Sequence, residues 1–185
     1  MRFSRIVMMS VLVVCGACAD TPATPVTSVA VSTAVSTTAA ALPSGDGLPL
    51  LDQIVPAIAA LETQLGGPQE YFEINATSRL VNLFVALNNA AVAQPWVYLH
   101  GALTSAEGQA ASGGTFSSPS VDFDPDVILS TVLTELPGIS IESFYIHGDG
   151  QGNVLYGVLA TSDKGGGLDV VLGADGSVKS VDPVS

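Results

Sequence analysis

The chain is poor in cysteine, histidine and positive charge, and each shortage excludes a class of function. Only 5 of its 185 residues are Lys or Arg, against 17 Asp and Glu. A nucleic-acid-binding surface needs a basic stripe, so this class is excluded. With 2 histidines and 2 cysteines, few metal sites or catalytic nucleophiles can be assembled. The chain is instead apolar, with 48% hydrophobic and 12% charged residues, and its length allows one domain plus a tail.

Residues 1–17 are predicted to be a lipoprotein signal peptide. Arg2 and Arg5 begin it, and an apolar run over 6–14 follows, shorter than the roughly 20 residues of a permanent membrane span. The run leads into Gly16, Ala17 and Cys18, which resembles the lipobox of bacterial lipoproteins. In that family a diacylglycerol is added to the cysteine, and the signal is cut just before it. The resemblance implies lipidation of Cys18; the alternative is an ordinary cleaved signal.

Residues 18–47 are predicted to be the lipid anchor and a disordered stalk. From 21 to 47 the chain uses almost only Thr, Ala, Ser, Val and Pro, and such a segment buries too little to order itself. The alternative is a strand over 26–35, where valine alternates with small polar residues. Cleavage leaves three basic residues against 17 acidic ones, a net charge of −14. An anionic membrane repels such a surface, so we expect attachment to the extracytoplasmic face of the cell membrane only through the lipid on Cys18.

Residues 48–185 are predicted to form a single α+β domain of two tandem repeats, about 48–120 and 121–185. A shift of 72 positions aligns 69–102 with 141–174 and produces 7 identical pairs in 34. An apolar stripe predicts a helix over 50–65, which Gly66 ends. A second helix is predicted over 125–136, with Asp124 as its N-cap and Pro125 as its first residue.

Segments in which apolar and polar residues alternate follow each predicted helix and are interpreted as strands: 69–76, 80–88, 95–103, 140–147, 153–162, 167–173 and 177–182. Glycine-rich turns separate several of them. The expected fold is therefore α+β, with two tandem helix-plus-antiparallel-meander repeats and the helices packed on one face of the sheet.

The second predicted repeat resembles a known architecture. A helix, strands over 140–147 and 154–160 and a closing hairpin over 168–178 are similar to the repeats of the PepSY-like group and of the β-lactamase inhibitor proteins. The lipobox and stalk are also similar to those of small actinobacterial lipoproteins of unknown function. The resemblance implies an extracytoplasmic binding or inhibitory module.

No catalytic site, metal site or cofactor is predicted. His100 and His147 fall on different strands of different repeats, and no thiol survives processing. Glu70 and Glu142 match between the repeats, and a pair of carboxylates can perform acid–base chemistry. Solvated charges at strand ends are the favoured interpretation of both. We therefore expect a protein that is not an enzyme.

Two acidic patterns resemble calcium ligands. Asp122, Asp124 and Asp126 alternate, as oxygen ligands around calcium do, but no glycine follows at the sharp turn and no glutamate closes the loop. Capping of the second helix by Asp124 is the favoured interpretation, and calcium binding stays open. The segment 149–153 is better explained as a hairpin turn.

Four aromatic residues are the candidate partner-binding residues: Tyr71, Trp96, Tyr98 and Tyr145. If the phenylalanines next to Tyr71 and Tyr145 face the helices, the tyrosines lie on the open face of the sheet, where they suit a protein interface. The alternative is a second core layer. We expect a lipid-anchored module that binds, modulates or inhibits an envelope protein. The alternative function is a carrier or sensor of a small apolar or lipid ligand, held in a cavity between sheet and helices.

Overall fold

A computed structural model describes residues 47–184. The predicted signal peptide (1–17), the lipidated Cys18 and nearly all of the predicted stalk lie outside the described residues. Among residues 47–184, no helix has the length and apolarity that crossing a membrane requires.

Two α-helices and ten strands make up the described region. The helices are α1 (Ile54–Leu65) and α2 (Pro125–Glu135), and short 3-10 turns cover Leu51–Gln53 and Ser118–Ser120. The strands are β1 (Glu70–Thr77), β2 (Val81–Leu87), β3 (Val92–Leu99), β4 (Ala102–Ser105), β5 (Gln109–Ala110), β6 (Phe116–Ser117), β7 (Ile139–Gly148), β8 (Val154–Ser162), β9 (Gly167–Leu172) and β10 (Val178–Val184).

All ten strands belong to one antiparallel sheet. Its main order is β10-β9-β8-β7-β1-β2-β3-β4, while β5 pairs with β3 and β6 pairs with β1. The β7 and β1 strands lie side by side at the centre, with Ile74 opposite Ile146. The sheet is therefore continuous across the whole described region.

The predicted α+β class with two helix-plus-meander repeats is wrong. Within residues 47–184, α-helix covers 12 residues in α1 and 11 in α2, so the described part of the chain is mostly β. The two predicted repeats are not separate units with helices packed on one face, because their first strands pair and the strands share one hydrophobic core. Local patterns of apolar residues revealed the elements but not this central pairing.

The predicted signals mark the end of α1 and the start of α2, whereas α1 begins at Ile54, four residues after the predicted start at 50, behind a 3-10 turn over Leu51–Gln53. At the end of α1, Gly66 adopts a left-handed conformation (φ 82°) that glycine reaches without a steric penalty. At the start of α2, the Asp124 side chain accepts hydrogen bonds from the backbone N–H groups of Asp126 and Val127. Proline at the first helical position of α2 costs nothing, since its missing N–H would have no partner within the helix.

A β-bulge in β1 buries Tyr71, which was predicted to lie on the open face. The register passes from Tyr71 opposite Val85 to Glu73 opposite Phe84, so β1 carries one extra residue. An extra residue inverts the alternation of side chains before it relative to those after it. Tyr71 is 0% exposed and stacks near Phe116, with ring centroids 5.9 Å apart. Its predicted place on the open face is therefore wrong.

Trp96 and Tyr98 also lie on the core side of the sheet. Trp96 is paired with the buried Leu83, and Tyr98 with the buried Val81. Residues directly opposite each other in an antiparallel pair point to the same face. Trp96 is buried, and Tyr98 packs against the core. The prediction that these two side chains join an open binding face is wrong.

Candidate functional site

The side of the sheet that faces away from the core is called here the open face. It is made by three rows of cross-strand neighbours on β1, β7, β8, β9 and β10. The first row is Glu73, His147 and Leu155; the second is Asn75, Tyr145, Gly157, Val171 and Ser180; the third is Thr77, Ser143, Leu159, Asp169 and Asp182.

An open groove of about 570 Å³ runs along this face. It is lined by Glu73, Asn75, Thr77, Ser143, Tyr145, His147, Gly148, Leu155, Tyr156, Leu159, Asp169 and Val171. A groove of this volume is in the size range of binding pockets in proteins. It is the best candidate for a functional site in the part of the chain that the structure describes.

Tyr145 occupies the centre of the groove and crosses β8 to reach β9. Its neighbour on β8 is Gly157, where a Cβ atom would collide with the tyrosine ring and hydroxyl group. The missing side chain lets the ring lie over the strand, as aromatic rings do over sheet glycines. The Tyr145 hydroxyl group donates a 2.6 Å hydrogen bond to Oδ1 of Asp169.

The surroundings of Tyr145 keep its phenol protonated. Burial raises the pKa of Tyr145 well above its ordinary value, and so does the hydrogen bond to Asp169. The negative charges of Asp169, Glu73 and Asp182 raise the pKa further. The phenol is therefore a hydrogen-bond donor to Asp169 at neutral pH.

A chain of polar side chains continues from the groove across β1 to β2. The Asn82 amide donates to Oδ1 of Asn75 at 2.7 Å, and the Asn75 amide donates to Oε1 of Glu73 at 2.6 Å. The other oxygen of Glu73, Oε2, lies 3.6 Å from Nε2 of His147. The His147 ring also meets Tyr145 edge-on, with centroids 4.8 Å apart. These contacts orient the polar end of the groove.

The apolar part of the groove is unusually exposed. Leu155 and Leu159 are 49% and 40% exposed, although both stand on a strand in the middle of the sheet. Single exposed leucines are ordinary, but two that flank an aromatic ring in a groove are typical of an interaction surface.

Of the four predicted partner-binding residues, only Tyr145 lies on the open face. The groove residues that were not predicted to bind a partner include Glu73, Asn75, His147, Leu155, Leu159, Asp169 and Val171. Alternation within β1 and β7 does place Glu73 and His147 on the side of Tyr145. Their meeting, however, depends on the pairing of β1 with β7, which the sequence does not display.

The two histidines lie in different parts of the fold, and the matched glutamates lie at opposite ends of the β1–β7 pair. His100 lies in the exposed turn between β3 and β4, with a φ of 49°, whereas His147 lies on β7. Glu70 and Glu142 are both exposed, and Glu142 accepts a hydrogen bond from Thr161.

Two aspartates from the patterns that resemble calcium ligands, Asp124 and Asp149, stabilise local structure. Asp124 caps α2, as predicted. The carboxylate of Asp149 accepts hydrogen bonds from the backbone N–H groups of Gln151 and Asn153, which closes the turn between β7 and β8. No group of three His, Cys, Asp or Glu side chains suited to a metal ion occurs within 47–184.

A second cleft, of about 530 Å³, lies beside α2. It is lined by Gly47, Leu48, Ser78, Leu133, Ile139, Ser140, Ile141 and Glu142, and none of these is aromatic. Nearby, the inward residues of both helices are fully buried: Ile54, Leu61, Ile128 and Val132 have 0% exposure.

Comparisons with known proteins place the chain in no family. No protein-family model matches it, so neither the PepSY-like group nor the β-lactamase inhibitor proteins are shown to be its relatives. No curated protein matches its sequence. Among solved structures, it is similar to a protein from Clostridium difficile that is described as a putative lipoprotein. The identity is 12% and the TM-score 0.47, with 74% of this chain and 93% of that chain covered. A similarity of this size does not indicate a common function.

Proposed function

We propose that the protein is a lipid-anchored, extracytoplasmic and non-enzymatic module that binds an envelope protein through the open face of its sheet, and thereby modulates or inhibits that protein. The observation that carries the proposal is the groove built around Tyr145. An aromatic side chain, two exposed leucines and oriented polar groups stand together on a rigid sheet. Aromatic anchors inside an apolar patch with a polar rim are the usual composition of a protein-binding surface.

The non-enzymatic part of the proposal is supported by the contacts of His147. A nucleophilic site needs a hydroxyl or thiol group held by a general base. The contacts of His147 are instead the carboxylate of Glu73 and the ring of Tyr145, in a T-shaped arrangement. The Tyr145 hydroxyl group donates to Asp169 and not to the histidine.

The proposed anchor rests on the sequence Gly16, Ala17 and Cys18 after a short apolar run. In the full chain, Cys18→Ala should abolish incorporation of a labelled fatty acid and leave the signal peptide uncut. Cys15→Ala is the matched control and should change neither. Incorporation of the labelled fatty acid into Cys18→Ala would overturn the anchor without affecting the proposed binding face.

Site-specific photo-cross-linking tests the binding face. A photoreactive residue replaces Leu159 on the open face or, as a control, Leu133 on α2, which is similarly exposed at 38%. In intact cells that produce the full chain, we expect a discrete adduct with an envelope protein from position 159 and none from position 133. Leu155→Asp, beside the cross-linker on the same strand, should abolish the adduct. Equal adducts from both positions, or none from position 159, would contradict the proposal.

The carrier function remains the alternative. Its place would be the cleft beside α2, on the helix side of the sheet, and extraction of the purified full chain with organic solvent followed by mass spectrometry would test it. We favour the open face because its groove holds an aromatic anchor that the cleft beside α2 lacks.

A further inference from the structure

Two carboxylates face each other across the edge of the open face. Asp169 on β9 is directly opposite Asp182 on β10. Directly opposed residues of an antiparallel pair share one face and lie close together, and like charges in that position destabilise a sheet. The fold therefore keeps an unfavourable charge pair at one end of the groove.

Within the described region, neither carboxylate has a cationic partner. Asp169 accepts a hydrogen bond from Tyr145, and Asp182 accepts one from Ser180 at 3.2 Å, so both donors are neutral. The nearest basic residue along β10 is Lys179, and its side chain lies beside the turn that follows β9. A Cβ atom on Gly173 in that turn would lie 3.0 Å from Cε of Lys179. Hydrogen bonds from Ser177 lower the pKa of Asp175 in the same turn, and the positive charge of Lys179 lowers this pKa further.

The charge pair adjoins the apolar part of the groove. Leu159 is directly opposite Asp169 on the other side of β9, so leucine and carboxylates form one continuous row. Val171 and the ring of Tyr145 stand in the next row. A partner that crosses this row meets an apolar surface first and negative charge immediately beyond it.

We propose that the groove docks a segment of a protein partner that places an Arg or Lys side chain between Asp169 and Asp182 and an adjoining apolar side chain on Leu159 and Val171. This inference rests on the proposed function and specifies the chemistry of the partner. A cation relieves the repulsion between the two carboxylates, and the guanidinium group of Arg can bond to both of them at once.

The charge of the chain disfavours other occupants. All but five of its 22 charged residues are acidic, so a second copy of the chain would be repelled. An anionic membrane surface would be repelled for the same reason.

The test measures the yield of the cross-linked adduct from position 159 in two double variants, each of which removes two negative charges. One carries Asp169→Asn with Asp182→Asn; the control carries Asp52→Asn with Glu107→Gln, two exposed acidic residues that line neither the groove nor its charge pair. In the full chain in cells, the first background should lower the yield by about tenfold, whereas the control should leave it unchanged. Mass spectrometry of the adduct should place Arg or Lys beside an apolar residue in the cross-linked segment. Asp182→Asn alone, which leaves the Tyr145–Asp169 bond in place, should lower the yield by a smaller factor.

Three results would overturn the inference. They are an unchanged yield in Asp169→Asn with Asp182→Asn, a cross-linked segment without a basic residue, and an adduct with a second copy of the chain. In the first two cases the open face still binds a protein, so the proposed function stands. Only the inference that the partner supplies an Arg or Lys side chain is overturned. Absence of any adduct from position 159 in the unsubstituted background would overturn both proposals.

Discussion

The aromatic ring of Tyr145 lies over Gly157, so the centre of the groove exists because one strand position lacks a side chain. In Gly157→Ala the added methyl group collides with the ring, and Tyr145 must leave its place. We expect a loss of unfolding free energy of about 1–3 kcal/mol, typical of overpacking. Gly167→Ala on β9 is the control, because its methyl group would be 3.4 Å from the nearest atoms and should cost little. Chemical denaturation measures both, and equal midpoints would contradict this role of Gly157.

Tyr145→Phe tests the hydrogen bond to Asp169. The pKa of the phenol is raised in the folded state, so the folded protein holds its proton more tightly than the unfolded chain. The stability from this phenol is present below pH 10 and is lost as the pH rises further. The substitution should lower the unfolding free energy at pH 7 by about 0.5–1.5 kcal/mol. It should also make the unfolding free energy fall less steeply with pH in the alkaline range, because one ionising phenol is gone. Parallel curves for the two proteins between pH 9 and 12 would be the contrary outcome.

Tyr71→Ala tests the burial that the β1 bulge imposes. Removal of a fully buried aromatic side chain costs about 3–5 kcal/mol. Leu159→Ala, at an exposed position of the open face, should change the stability by less than about 0.5 kcal/mol. Thermal unfolding followed by circular dichroism compares the two. A small effect of Tyr71→Ala would show that this residue is not part of the core.

Asp182→Asn tests whether the facing carboxylates repel. Removal of one charge should raise the unfolding free energy by about 0.2–1 kcal/mol. The gain should shrink in 1 M salt, where the screening length falls to about 3 Å. Asp52→Asn is the matched control, since Asp52 lies in the 3-10 turn before α1 and not in the sheet. Destabilisation by Asp182→Asn at low salt would argue against repulsion between Asp169 and Asp182.

The elements of the fold follow closely from local sequence signals. Asp124, Pro125 and Gly66 mark helix boundaries because each suits a backbone geometry that exists only at a helix end. The alternation in 140–147 likewise predicts a strand with Phe144 and Tyr145 on opposite sides, as the burial of Phe144 confirms.

What local patterns do not reveal are relationships between distant segments. The β1–β7 pairing joins residues about 70 positions apart, and it alone brings Glu73 to His147. The bulge before Glu73 reverses the orientation of Tyr71, a one-residue irregularity that a period of two conceals. Asp182 becomes part of the site only because the β9–β10 register places it opposite Asp169. The candidate site was therefore predictable at Tyr145 and not at its neighbours.

The central claim, that the open face is covered by a partner in the cell envelope, is tested most directly by cysteine accessibility. Leu159→Cys and Leu133→Cys, introduced separately into the full chain, are labelled with a membrane-impermeant maleimide in intact cells and again after purification in detergent. The modified peptides are quantified by mass spectrometry. We predict that position 159 is protected in cells and reacts readily once purified, whereas position 133 reacts equally in both states. Equal reactivity of position 159 in cells and in the purified protein would contradict the account.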